Sequence, residues 1–113
     1  MAKSPLTGLL SESTVGGYFG AKLRAAGYSA LVIKGESSIP CYLVIDGDSG
    51  TAEVKPAETL WGKDVFAADR LLKDLYGEDI EVAAIGPAGE NGVHYACVIA
   101  GGLHSRAAGR TGM

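Results

Sequence analysis

The 113-residue chain carries 10 basic and 13 acidic side chains, a formal net charge of −3, and 47% hydrophobic residues. This length suits one domain spanning residues 1–113, and the composition is typical of a soluble globular protein. The charge balance argues against nucleic-acid partners and anionic membrane surfaces, and no apolar run is long enough to span a bilayer. No apolar stretch follows the opening MAKSP, so we expect a cytoplasmic protein without a secretory signal.

A short helix followed by a strand is predicted early in the chain. In GGYFGAKLRAAG, apolar residues recur at helical spacing at Phe19, Leu23 and Ala26, and Gly27 is a typical residue to end a helix. The next segment, YSALVIKG, has a continuous apolar centre at residues 30–33, which predicts a strand.

The rest of the chain predicts a hairpin, a longer helix and two further strands. IPCYLVIDG and TAEVK flank the turn-forming DGDSG, which indicates a β-hairpin. A helix ending at Gly77 follows from apolar residues on one face, namely Val65, Ala68, Leu72, Leu75 and Tyr76. IEVAAIG and HYACVIAGG then predict strands. About five strands in mostly antiparallel or mixed sheets, with two helices, indicate the α+β class.

Glycine is the compositional outlier, at 17 residues, and its clusters contain two candidate anion-binding motifs. STVGG, residues 13–17, places hydroxyls and glycine backbone before the first helix, where free N–H groups favour phosphate. The alternative is an ordinary helix cap. The loop RAAGRTG offers Arg106 and Arg110, whose planar guanidinium groups suit phosphate. The alternative for this loop is a surface turn with solvated arginines.

Other groups carry weaker chemical signals. Cys41 and Cys97 lie in separate apolar runs without a CxxC spacing, so buried free thiols are expected. His94, at the start of a predicted strand, is interpreted as a surface or sheet residue, whereas His104 lies beside the glycine-rich loop and could touch a ligand. Most carboxylates are interpreted as a solvated face: Glu53, Glu58, Asp64, Asp69, Asp74, Glu78 and Asp79.

Five separated blocks carry a family resemblance. KSPLTG, GGYFGAKLRAAGY, LWGKDVFAAD, VAAIGPAGEN and RAAGRTG occur in that order. Together they resemble the N-terminal domain of the tungsten-containing aldehyde ferredoxin oxidoreductases, from about Lys3 to Met113. Five blocks in register are far more specific than any one of them.

The resemblance implies the function of a larger enzyme. Members of this family oxidise aldehydes to carboxylic acids and pass the electrons through a [4Fe–4S] cluster to ferredoxin. Tungsten, or molybdenum in its place, is held by two pyranopterins whose phosphates are linked by magnesium. The N-terminal domain is a β-rich base on which this cofactor lies, and it does not ligate the cluster.

The resemblance also implies specific contacts. Carried over by position, the residues that contact the pterins and their phosphates are Thr14, Gly16, Arg106, Ala107, Gly109 and Arg110. The main-chain carbonyls of Thr14 and Ala107 are the implied magnesium ligands. Well-known family members have Asn-Ser where this chain has Thr14-Val15, so any contact of the asparagine side chain is not carried over.

The implied partners are the remaining domains of the parent enzyme, which supply the cluster cysteines and the acid and histidine groups that act on aldehyde. We therefore expect the chain to be an excised segment that is inactive alone. Unpaired strand edges predict that it forms a homo-oligomer. Two alternatives stay open: a free-standing phosphate- or nucleotide-binding module, and a non-catalytic subunit of an oxidoreductase complex.

Overall fold

Short antiparallel strands alternate with three helices in the computed structural model, which describes residues 2–102 and 106–108. The strands are β1 (Ala2–Lys3), β2 (Leu10–Ser11), β3 (Cys41–Asp46), β4 (Thr51–Pro56), β5 (Ala83–Ala84), β6 (Val98–Ala100) and β7 (Arg106–Ala108). The helices are α1 (Phe19–Ala25), α2 (Val65–Tyr76) and α3 (Pro87–Glu90). The predicted α+β class is confirmed. No helix in the described ranges is long and apolar enough to cross a membrane.

The strands form three antiparallel sheets. β1 pairs with β2, β3 pairs with β4, and β6 lies between β5 and β7. β3 and β4 form the hairpin that the sequence predicts. Its register runs from Cys41 opposite Pro56 to Asp46 opposite Thr51. The Asp46 carboxylate organises the turn, because it accepts hydrogen bonds from the Ser49 hydroxyl at 2.8 Å and from the Asp48 N–H at 2.9 Å. These bonds lower the pKa of Asp46.

The two predicted helices form with the expected ends. α1 is followed by Gly27 at φ +91°, and α2 is followed by Gly77 at φ +99°. Asp64 caps α2 by accepting from the backbone N–H groups of Phe66 at 2.9 Å and Ala67 at 2.8 Å. This bonding satisfies donors that the first turn of a helix leaves without partners.

The core of the described domain consists of small side chains. Its buried apolar residues are Ala57, Ala68, Val82, Ala96, Ala100 and Ala108. Large apolar side chains are exposed instead, including Leu6 at 89%, Val32 at 80% and Leu10 at 79%. Leu75, predicted on the buried face of α2, is 65% exposed. The domain therefore leaves much of its apolar surface uncovered by its own elements.

Two predicted elements are wrong. Residues 30–33 form no strand, and the apolar side chains of Val32 and Ile33 are about four-fifths exposed. A strand needs a neighbouring strand that pairs with its backbone N–H and C=O groups. No strand among the described residues pairs with residues 30–33. Conversely, residues 106–108 were predicted as a loop but form β7, which pairs with β6.

Candidate functional site

The two candidate anion-binding motifs meet at Gly16 and Arg106. A methyl group built on Gly16 would lie 3.9 Å from Arg106 Cγ, so the stem of the arginine passes over the glycine backbone. Both residues are exposed. Glycine at this position carries no side chain between its main-chain atoms and the stem of Arg106. Glycine backbone and arginine are residue types that suit an anionic ligand.

The STVGG motif ends at Gly17, directly before the N-cap of α1, and does not form part of the helix. Residues 12–16 have no regular secondary structure, and α1 starts at Phe19 with Tyr18 as its N-cap and no side-chain capping bond. The alternative interpretation of the motif as an ordinary helix cap is therefore wrong. The free N–H groups of the first turn of α1 come after the motif, because α1 begins at Phe19. The exposed Thr14 lies two residues before Gly16 on the same segment.

The arginine motif is positioned by a β-sheet. β7 pairs antiparallel with β6, which places Arg106 opposite Ala100, Ala107 opposite Ile99 and Ala108 opposite Val98. Ala108 is buried, whereas Arg106 and Ala107 are exposed. A solvated surface turn is thus the wrong description of this part of the motif. A strand fixes the backbone of Arg106 more firmly than a loop would.

Gly102, two residues after β6, lies beside an ion pair on α2. Asp69 Oδ2 lies 2.9 Å from Lys73 Nζ, and the Asp69 side chain is only 13% exposed. Gly102 is buried, has φ +52°, and lies so close that a methyl group on it would be 2.8 Å from Asp69 Oδ2. Only glycine fits this bend without strain. The bend therefore holds the end of β6 against α2.

The environment of Asp69 differs from the solvated face that the sequence indicates. Its Oδ1 is buried and has no hydrogen-bond partner among the described residues. Its hydrogen bond with Lys73 raises the pKa of that lysine. The four-residue spacing of the two side chains is the sequence signal that could have indicated the pair. The close approach of Gly102 depends on tertiary structure and has no local signal.

Several other predicted residues can be placed. His94 is exposed in a turn before β6 rather than in a strand. Cys41 is exposed and Cys97 is half-buried, so the prediction of buried thiols is wrong for Cys41, although both thiols are free as expected. Gly109, Arg110 and His104 lie outside the described residues.

Metal-binding side chains are not clustered in the described part of the chain. Within residues 2–102 and 106–108, no group of three or more histidine, cysteine or acidic side chains could hold a metal ion. The whole sequence has two cysteines. A [4Fe–4S] cluster is typically held by four cysteine thiolates, so these two could not complete one.

Comparison with known proteins identifies the family. Residues 1–113 match the family described as aldehyde ferredoxin oxidoreductase, N-terminal domain. The chain belongs to this family. The match covers the whole sequence, including Gly16, Arg106 and the glycine-rich segments around them, and it confirms the resemblance carried by the five sequence blocks.

Relatives of the domain are parts of longer oxidoreductases. The tungsten-containing aldehyde ferredoxin oxidoreductase of Pyrococcus horikoshii is 42% identical over 114 residues, which span all of this chain and 18% of the relative. An aliphatic sulfonate oxidoreductase, WOR-like subunit, of Pyrococcus furiosus is 31% identical over 125 residues, spanning 99% of this chain and 20% of the relative. The chain thus spans about a fifth of the length of these relatives.

A solved structure supports the same assignment. The active-site complex BamBC of benzoyl coenzyme A reductase, bound to 1,5-dienoyl-CoA, matches with a TM-score of 0.87 and 37% sequence identity. The match covers 97% of this chain and 16% of that chain. The described fold is therefore the N-terminal domain fold shared by these oxidoreductases.

Proposed function

We propose that this domain forms part of a tungsten-pterin oxidoreductase that oxidises aldehydes to carboxylic acids with ferredoxin as electron acceptor. Within that enzyme, the domain binds the pterin phosphates and is inactive alone. The observation that carries the proposal is the approach of Arg106 to Gly16, in a chain whose whole length matches the family. Phosphate-bearing cofactors favour arginine and open glycine backbone, and these two segments bring both residue types together.

The residues present fit such a cofactor. Arginine can bind two phosphate oxygens through its paired N–H groups, and a glycine such as Gly16 lets a ligand reach the main chain. The two residues that follow Arg106 in β7 have small side chains, and the first of them, Ala107, is exposed. The chain as a whole is acidic, at −3, so phosphate recognition depends on these local cations and not on a general positive field.

The protein supplies binding and orientation, and the bound tungsten-pterin would supply the two-electron chemistry. Arg106, Gly109, Arg110 and Gly16 would hold the pterin phosphates. The main-chain carbonyls of Thr14 and Ala107 would bind magnesium, which takes oxygen ligands. Pairing of β7 with β6 fixes the Arg106 backbone, so this part of the main chain does not have to be ordered when the phosphate binds.

Other parts of the reaction belong to other parts of the parent enzyme. The [4Fe–4S] cluster, the ferredoxin contact and the groups that act on substrate would come from the remaining domains. The relatives with this domain are named for aldehyde, aliphatic sulfonate and benzoyl-CoA chemistry. We propose that substrate choice resides in the remaining domains. The naming of one relative as a subunit supports a second candidate, in which the parent enzyme acts within a complex.

Arginine variants of the complete enzyme test the proposal. We expect Arg106→Ala and Arg110→Ala to lower the tungsten and pterin content of the purified protein, because each removes a cation from the phosphates. The matched control is Arg70→Ala, which removes an exposed arginine from α2. Tungsten is measured by mass spectrometry and pterin by fluorescence after oxidation. Full cofactor content in both variants would contradict the proposal.

A variant of Gly16 distinguishes an effect on cofactor binding from an effect on folding. The backbone of Gly16 is outside the left-handed region, and a methyl group there makes only an ordinary 3.9 Å contact. Gly16→Ala should therefore fold normally but lose cofactor. Gly20→Ala is the control, since a methyl group on Gly20 meets nothing within 4 Å. Equal cofactor content in the two variants would exclude close approach of the ligand at Gly16.

Self-association of the separate domain also remains our proposal. The outer edges of the hairpin and of β7 carry backbone groups that can pair with another chain. Light scattering of the 113-residue chain across a concentration series should show growing mass. A single monomer at every concentration would contradict it.

A further inference from the structure

The β3–β4 hairpin has one face without any polar side chain. Residues directly opposite in an antiparallel pair point to the same side of the sheet, and successive residues alternate between sides. The register therefore places on one side the six residues of what we call the apolar hairpin face: Cys41, Leu43, Ile45, Ala52, Val54 and Pro56. The opposite side carries Tyr42, Val44, Asp46, Thr51, Glu53 and Lys55.

The hairpin turns its more polar face towards the rest of the domain. Tyr42 and Tyr76 share a hydrogen bond of 2.9 Å between their hydroxyls, and Lys55 Nζ lies 5.3 Å from the centre of the Tyr76 ring. These contacts join the polar side of the hairpin to the end of α2. Five of the six side chains on the apolar hairpin face are exposed, with Val54 at 69% and Leu43 at 38%. Such an arrangement is the reverse of the usual one, in which the apolar face is buried.

The size of this face decides what can cover it. Two strands of six residues, about 3.4 Å per residue and each about 5 Å wide, give the face a flat footprint of about 200 Å². A stable complex between separate proteins buries about 800 Å² on each partner. The apolar hairpin face alone is thus too small to hold a second copy of the chain. It suffices for packing within one polypeptide, where the covering segment is always present at high effective concentration.

We infer that the apolar hairpin face is the docking surface for the remainder of the parent polypeptide. The chain spans 18% of the length of its aldehyde-oxidising relatives, so most of such a polypeptide lies outside this domain. Covering the face would remove its five exposed apolar side chains from water. This inference rests on the proposed place of the domain within a larger enzyme.

The reactivity of the Cys41 thiol shows whether the apolar hairpin face is covered. The thiol is free, exposed in this structure and part of the apolar hairpin face. In the complete polypeptide, we expect iodoacetamide to modify Cys41 at least about tenfold more slowly than in the same protein unfolded in guanidinium, because modification requires local opening. Peptide mass spectrometry follows the site. Slowing by less than tenfold overturns the inference, and so does protection that is lost on dilution, which would indicate a second copy.

A pair of lysine variants tests whether the protection belongs to this face. Val54→Lys places a charge on the apolar hairpin face, whereas Thr51→Lys places the same charge on the opposite face of the same strand. In the complete polypeptide, Val54→Lys should restore Cys41 modification and Thr51→Lys should not. Equal protection in both variants overturns the inference. Failure of pterin binding in the arginine variants is measured separately, so the two proposals can fail independently.

Discussion

We expect Gly102→Ala to lower the free energy of unfolding by about 2–5 kcal/mol. Alanine at φ +52° carries a steric cost of about 1–2 kcal/mol, because its Cβ crowds the backbone in the left-handed region. The same Cβ would lie 2.8 Å from Asp69 Oδ2, so the carboxylate must move away from Lys73. Leaving this largely buried group without a partner adds about 1–3 kcal/mol, since its Oδ1 already lacks a donor among the described residues.

Urea unfolding of the 113-residue chain, followed by circular dichroism, measures this loss. Gly92→Ala is the matched control: Gly92 has φ +66°, but a methyl group on it meets nothing within 4 Å. This control should show the backbone cost alone. When Asp69 is also replaced by alanine, Gly102→Ala should lower the free energy of unfolding only as much as Gly92→Ala does, because the carboxylate that blocks the methyl group is gone. Equal costs for Gly102→Ala and Gly92→Ala in the otherwise unchanged chain would refute the proposed contact.

Three further predictions concern local hydrogen bonds. Asp64→Ala removes the cap of α2 and should cost about 1 kcal/mol in urea unfolding, whereas Asp64→Asn should recover most of it. The pKa of Asp46 is lowered chiefly by the Ser49 hydroxyl, so its stabilisation is present above the unfolded pKa and is lost as pH falls through the folded pKa. In the Asp46→Asn variant, the melting temperature should therefore decrease less as the pH is lowered than it does in the unchanged chain. The Tyr42 hydroxyl hydrogen bonds to the Tyr76 oxygen, which raises the pKa of Tyr42, and Tyr76→Phe should return that pKa towards its ordinary value in a spectrophotometric titration.

Elements with local signals were predictable from the sequence. Helix α2 has its cap at Asp64, its apolar spacing and its terminating Gly77 within one short segment. The β3–β4 hairpin is likewise determined by alternating side chains around a turn that Asp46 organises. In both cases the residues that decide the structure are neighbours in the chain, so a pattern in the sequence contains the necessary information.

The candidate site was predictable only in part, because its geometry depends on distant residues. Arg106 and Gly16 were selected by residue type and by resemblance, but their approach depends on β7 joining β6. The mistaken loop at residues 106–108 has the same origin, since small residues and glycines suggest a turn until a partner strand is known. The bend at Gly102 over Asp69 joins residues far apart in sequence, and no local pattern reports it.

The wrong strand at residues 30–33 has a different cause, and it yields a last prediction. Its apolar pattern indicates burial, but Val32 and Ile33 are about four-fifths exposed in the domain. The pattern and the structure agree if the covering partner lies elsewhere in the parent polypeptide. We therefore expect backbone amides of this segment to exchange with deuterium rapidly in the 113-residue chain and at least about tenfold more slowly in the complete polypeptide. Hydrogen-exchange mass spectrometry measures both, and the α2 peptide serves as a protected reference. Equally fast exchange in the two proteins would show that the segment is irregular by its own nature.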